Sequence, residues 1–253
     1  MPTLRVNDFD CHYQVRGDGR PLLLLHGGMG IGDDWRYAFA TDPPGRQLIV
    51  PDLRGHGASN NPSRRFTFAQ CAEDMLALLD SLGLAAVDAM GLSMGAKALL
   101  HIATRQPARV RAMVLVSAAP YFPMSVRAAM ARYTPESLAT LAPDALAELR
   151  ARHPGGDEQL RNLYAMMAGF AESYHDMAFT PPLLATIAAR TLIVHGDRDP
   201  LYPVELALEL YRSIPDAALW VVPHGGHGPI FGALAPEFAR VALAHLDEAT
   251  GRD

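Results

Sequence analysis

One serine in this chain stands where its side chain can act as a nucleophile. Ser93 lies in Gly91-Leu92-Ser93-Met94-Gly95, after the strand-like run Val87-Asp88-Ala89-Met90 and before Ala96, Leu99, Leu100 and Ala103 at helical spacing. A strand, a Gly-x-Ser-x-Gly turn and a helix hold a hydroxyl on a tight bend whose small neighbours allow close backbone approach. The helix start turns its positive dipole end and free N–H groups toward any negative charge that develops there. A serine hydroxyl is a weak nucleophile at neutral pH, so the chemistry needs a base within reach and a carboxylate that orients the base. Acids and histidines follow in the order Ser, Asp, His. Asp197 and Asp199 share Gly196-Asp197-Arg198-Asp199, and His224 and His227 share His224-Gly225-Gly226-His227. Position alone leaves both pairs in competition, although the Gly-rich loop lets His227 reach over Ser93. His195, at a strand end, suits a structural hydrogen bond.

Holding such a set together takes a sheet whose strand ends share one edge. Short apolar runs recur at Pro21 to Leu25, Gln47 to Pro51, Val87 to Met90, Ala112 to Val116, Thr191 to Val194 and Leu219 to Val222, each near a loop rich in Gly, Pro, Asp or Ser. Unlike half-exposed strands, these runs do not alternate polar and apolar, so they read as buried on both faces. A hairpin over Leu4 to Gly17, turning near Asn7-Asp8, opens the chain. Thr67-Phe68-Ala69-Gln70 reads as a capping box that starts a helix with apolar Ala72, Met75, Leu76, Leu79 and Leu82, ended by Gly83. Further helices are expected over roughly Pro203 to Ser213 and Pro236 to Asp247. Alternating strands and helices predict a mainly parallel sheet covered on both faces.

From Tyr121 to about Pro182 the alternation stops. Short helix-compatible pieces are separated by prolines, and five of the 11 methionines fall here: Met124, Met130, Met166, Met167 and Met177. Soft apolar side chains on a helical insertion of that size suit a lid over a site.

The composition narrows the function classes. The 253 residues are 49% hydrophobic and 19% charged, with 22 basic and 27 acidic residues and a formal net charge of −5. That excludes a disordered chain and makes nucleic acid a poor partner. Cys11 and Cys71 form no CxxC pair, so neither a disulfide framework nor a cysteine-rich zinc site is expected. Charges within the first eight residues rule out a secretory signal, and no span suits a membrane helix. A cytoplasmic location is the expectation. The His-x-x-His at 224 and 227 lies in a loop without an adjoining Glu, which argues against a metal. Gly28-Met29-Gly30 has Asp33 where a dinucleotide fingerprint needs its third glycine, and no phosphate-cradling loop with Gly-Lys-Ser/Thr occurs. No cofactor is implied. Only one basic residue is a lysine, Lys97, which reads as compositional bias.

Four motifs in order give the chain a resemblance to the α/β-hydrolase family. Beside Gly-x-Ser-x-Gly, His26-Gly27-Gly28 looks like the family's oxyanion loop, and Asp52-Leu53-Arg54-Gly55-His56-Gly57-Ala58-Ser59 like its D-x-R-G-x-G-x-S loop. Gly196 to Asp199 with Pro203 matches its acid loop, and His224 to His227 its histidine loop. The resemblance implies a mostly parallel eight-stranded sheet flanked by helices, with a helical cap inserted after the sixth strand. Residues 1–120 and 183–253 would form the core and 121–182 the cap. It implies catalytic Ser93, Asp199 and His227, with Asp197 shaping its turn. The oxyanion donors would be the backbone N–H groups of Met94 and Gly28, with Met29 as the alternative to Gly28. His26 and His56 would brace their loops. Trp35, Tyr121, Phe122, Met166, Met167, Phe170, Ile230 and Phe231 would lie near the lid or the loop mouths, and as a set suggest an apolar pocket, although each by itself reads as plain core.

The reading is a serine hydrolase for a small or medium carboxylic ester or lactone, acting as a monomer or homodimer. Relatives that hydrolyse carbon–carbon bonds of ring-cleavage products, or act as cofactor-free perhydrolases, are the alternative. Serine at the elbow argues against the branches that need aspartate there, the epoxide hydrolases and haloalkane dehalogenases. Carbon–carbon hydrolases of dicarboxylates would want a lid arginine, and Arg127, Arg132, Arg150, Arg152 and Arg161 lie in or near the lid, each expected as solvated charge. A ligand receptor on the same fold is the non-enzymatic reading, and its usual mark, a lost triad member, is missing here.

Overall fold

The computed structural model describes residues 2–248. The hairpin forms where expected, as β1 (Thr3–Val6) and β2 (Phe9–Arg16), with Asn7 at φ 50° in its turn. Then come β3 (Arg20–Leu25), β4 (Arg46–Pro51), α1 (Phe68–Ser81), β5 (Val87–Leu92), α2 (Met94–Arg105) and β6 (Val110–Val116). Five helices without an intervening strand follow: α3 (Met124–Met130), α4 (Pro135–Ala139), α5 (Pro143–Arg152), α6 (Gly156–Gly169) and α7 (Pro181–Leu184). The chain returns to the sheet as β7 (Arg190–Gly196), α8 (Val204–Ser213), β8 (Ala217–Val222) and α9 (Ala235–Glu248).

The eight strands lie in the order β1-β2-β4-β3-β5-β6-β7-β8, with β1 and β2 antiparallel to their neighbours and the other six parallel. Successive residues of β3 show why the runs do not alternate in polarity. Leu23 and Leu25 pack into the core under α1 and α2, while Leu22 and Leu24 pack into the one that holds Trp35 and Phe238 of α9. A leucine buried on either face contributes about 1.5–3 kcal/mol, so both faces demand apolar residues. Trp35 is therefore core of the far layer, stacked with Phe39, and not a residue of a loop mouth.

Register places the chemistry on one edge. Leu25 pairs with Gly91, Leu92 with Val116, Val116 with Val194 and Gly196 with Val222, so the segments after β3, β5, β6, β7 and β8 leave the sheet side by side. Among the described residues no helix is long and apolar enough to cross a membrane.

The start of α1 differs from a simple capping box. The Thr67 hydroxyl accepts from Gln70 N–H at 3.0 Å as expected, but the Phe68 and Ala69 N–H groups donate to the Asp176 carboxylate at 2.6 and 3.0 Å. Asp176 lies beyond α6, so the helical segment supplies part of a core helix's cap. Asp176→Ala leaves those donors unpaired and should cost about 1–2 kcal/mol, read as a Tm lower by roughly 2–8 °C for a chain of this size. An unchanged melting curve would show that water replaces the carboxylate without loss.

Candidate active site

The turn at Ser93 is a strained structure held from all sides. Ser93 adopts φ 49° and ψ −102°, a conformation that a residue with a side chain rarely takes. Both flanking glycines are required by contact: a Cβ on Gly91 would stand 2.6 Å from the Ala96 nitrogen, and one on Gly95 would stand 2.3 Å from the Leu25 oxygen. Ser93 N–H donates to Val116 O at 2.8 Å and Gly95 N–H to His26 O at 3.1 Å. Met94 opens α2, and the first N–H groups of a helix have no acceptor within it. Ser93, Met94 and Gly28 line one cavity, closed by Phe68, Phe122, Phe170, Met130 and Met167. A more open groove between α6 and the loop at residues 55–61 holds neither nucleophile nor base.

Of the two acids and two histidines in competition, the fold joins one of each. His227 Nδ1–H donates to Asp199 Oδ2 at 2.8 Å, which leaves Nε2 free to act as a base. Asp199 Oδ1 accepts from the N–H groups of Leu201 and Tyr202 at 2.8 and 3.0 Å. Burial acts to raise the Asp199 pKa, yet the hydrogen bond and charge of His227 and the two backbone donors outweigh it, and the net shift is downward. His195 Nε2 bonds to Tyr202 O at 2.9 Å, the structural role expected of it. His224 sits in the next loop at φ 58°.

The loop after β3, which holds Gly27 to Gly30, is braced by histidines. His26 Nδ1–H donates to Gly27 O at 2.7 Å and its Nε2 accepts from Leu53 N–H at 2.9 Å, while His56 bonds to Arg54 O. A third brace comes from the end of α5. His153 Nδ1 accepts from Gly57 N–H at 3.0 Å, and its Nε2 lies 3.2 Å from Met29 O. Met29, at φ 59°, is thereby held by its carbonyl, while Gly28 lines the Ser93 cavity.

Four residues escaped the sequence reading. Ser117 Oγ accepts from Gly228 N–H at 2.9 Å and so fixes the backbone beside His227; nothing local marks it. Tyr202 is buried against His227, ring centroids 5.4 Å apart, and lines the cavity beside Ser93. His153 was hidden because its partners lie about a hundred residues away. Lys97, four residues after Ser93, lines the cavity, a place that its being the sole lysine did not indicate. Of the five arginines in or near the helical segment, Arg132, Arg150 and Arg161 are exposed as expected, and Arg127 and Arg152 differ. Arg127 is buried, donating to the carbonyls of Phe122, Ala171 and Ser173, and Arg152 pairs with Asp34. Of the aromatic and methionine residues expected near the lid, Phe122, Met167 and Phe170 line the cavity, whereas Tyr121 is exposed.

A family model described as the alpha/beta hydrolase fold matches residues 20–174. A 2-hydroxymuconate semialdehyde hydrolase of Pseudomonas putida is 32% identical over 256 residues, covering 92% of this chain and 89% of its own. A solved meta-cleavage product hydrolase from Pseudomonas fluorescens IP01 matches with a TM-score of 0.81 at 22% identity, covering 98% of each chain. An enol-lactonase from Burkholderia xenovorans LB400 matches with a TM-score of 0.76 at 23% identity, covering 97% of this chain and 100% of that one. At those identities the two solved structures share the fold.

The braces carry a pH dependence. Burial lowers the His26 pKa from 6.5 to about 3, and burial likewise lowers His56 and His153. The unfolded chain therefore takes up protons below 6.5 while folded His26 does not until about 3, so stability is full above 6.5 and is lost as pH falls through that window. Thermal unfolding followed from pH 7 to 4 should show Tm falling with acid, with a shallower slope in His26→Asn; equal slopes would remove His26 from the account.

Proposed function

Because the chain belongs to the α/β-hydrolase fold family, with its family match over residues 20–174, we propose that it is a serine hydrolase that cleaves a carboxylic ester or lactone through an acyl-enzyme. The observation that carries this reading is the His227–Asp199 hydrogen bond at 2.8 Å on the sheet edge where the strained turn exposes Ser93. Ser93 attacks the carbonyl, and His227 Nε2 takes its proton. The Met94 and Gly28 N–H groups hold the oxyanion. His227, now protonated and stabilised by Asp199, passes its proton to the leaving alcohol and then activates water for deacylation. Residues 121–182 serve as the lid, with Phe122, Met130, Met167 and Phe170 shaping the acyl pocket. The similar fold of the enol-lactonase is in keeping with a lactone as substrate.

A second reading, hydrolysis of a carbon–carbon bond in a ring-cleavage product, is favoured by the 32% identity to the semialdehyde hydrolase. Arg127 and Arg152 are spent on backbone carbonyls and on Asp34, so that reading needs a cation other than these two for a substrate carboxylate.

Aryl esters of increasing acyl length, simple lactones and a 2-hydroxy-6-oxo dienoate, assayed side by side, separate the two. Ester or lactone turnover should exceed dienoate cleavage; the reverse order transfers the assignment to the carbon–carbon bond. Ser93→Ala and Asp199→Asn should each lower kcat by about 10⁴-fold, and a fluorophosphonate should label wild type but not Ser93→Ala. Labelling that survives in Ser93→Ala would discard Ser93 as the nucleophile.

A further inference from the structure

Lys97, the sole lysine of the chain, is only 1% exposed, and its place is the wall of the Ser93 cavity. It stands one helical turn after Ser93 on α2. Its ammonium lies 4.5 Å from the centroid of the Tyr202 ring and 5.5 Å from that of Phe122. No described residue accepts a hydrogen bond from it. An ammonium carries three donors, and two ring faces compensate their loss of water only in part. A buried cation left in that state is costly unless an acceptor completes its shell. Among the residues that line the cavity Lys97 alone carries a positive charge, and Arg127 and Arg152 of the helical segment are committed elsewhere.

The cavity also indicates which part of a substrate meets Lys97. Leu92 and Phe231, the side chains that a Cβ on Gly228 beside His227 would meet, line a separate, outer cleft with Gly27 and Gly28. The space beneath Ser93 is walled by Phe68, Phe122 and Phe170 and holds only about 20 Å³ as it stands, so an acyl portion enters it as the soft Met130 and Met167 side chains move aside.

We propose that Lys97 determines specificity by binding a carboxylate on the acyl portion of the substrate, selecting half-esters of dicarboxylic acids or lactones that bear a carboxylate. The inference rests on the acyl-enzyme reading above. Burial lowers the Lys97 pKa to about 7 against the raising effect of Asp199. The other titratable groups around it are Tyr202, His195 and, beyond Asp199, His227. A bound carboxylate adds a second negative partner and favours the ammonium.

The test compares 4-nitrophenyl half-esters of succinate, glutarate and adipate with neutral 4-nitrophenyl esters of equal chain length. The triad acts on both members of each pair, so its own pH dependence cancels in the ratio of their kcat/KM values. In wild type the best anionic ester should be preferred, the preference fading as pH rises above about 7. Lys97→Met should lower the ratio about 10- to 100-fold and flatten its pH profile. Lys97→Gln provides a second variant of similar size, and melting curves report whether each folds. A ratio that is the same in wild type and a folded variant overturns the proposal. If no ester is turned over, the ester reading falls while Lys97 is still decided by calorimetric binding of glutarate to Ser93→Ala and to Ser93→Ala with Lys97→Met. Binding that weakens by the same factor supports the role; equal binding, or none to Ser93→Ala, overturns it.

Discussion

The backbone at Ser93, at φ 49° and ψ −102°, is the constraint on which the site depends. A side-chain-bearing residue held there costs about 1–3 kcal/mol and persists only where its surroundings over-determine it. Ser93 N–H is fixed to the end of β6, and Gly95 N–H is fixed to His26 O. His26 in turn ties the Gly27 carbonyl to the Leu53 N–H through its two ring nitrogens. The turn at Ser93, the loop after β3 and the loop after β4 thus form one hydrogen-bonded unit. Movement in any of the three displaces the others, which is how donors can be kept ready where charge forms.

Charge is arranged with the same economy. Asp199 keeps its proton off in a buried position because three N–H donors converge on it, one of them from His227. The same carboxylate acts on Lys97 by its field alone. A neutral Asp199 would orient His227 less firmly and would also leave Lys97 easier to discharge, so the acid couples the base to the cavity wall. Tyr202 lies between them, over Lys97 and against His227, with its backbone N–H bonded to Asp199.

The local part of this design was legible in the sequence. Buried strands announce themselves by unbroken apolar runs, and the elbow by glycines whose absence of Cβ is a requirement of contact. Asp199 and His227 could be separated from Asp197 and His224 only through spacing shared with a family, because all four are polar residues in turn-forming loops. Ser117, Asp176 and His153 were not legible, since each acts on backbone N–H groups far away in the chain and a donor or acceptor leaves no pattern there. For Trp35 the sequence left both a pocket and a core role open, and the structure gives it the core role, with its side chain facing the α9 layer. The place of Lys97 was not legible either, because it depends on burial and one residue on a helix carries no signal of depth.

The helical segment is attached to the core in two chemically different ways. Its polar anchors, Asp176 at the start of α1, His153 between Gly57 and Met29, and Arg152 on Asp34, are specific in direction and lose their geometry when broken. Its contacts with the cavity, through Met130 and Met167, are soft and can be remade around ligands of different shape. Because His153 also holds the carbonyl next to Gly28, the segment that walls the cavity through Met130 and Met167 also fixes the backbone of the loop after β3, so the cavity wall and that loop are not independent of each other.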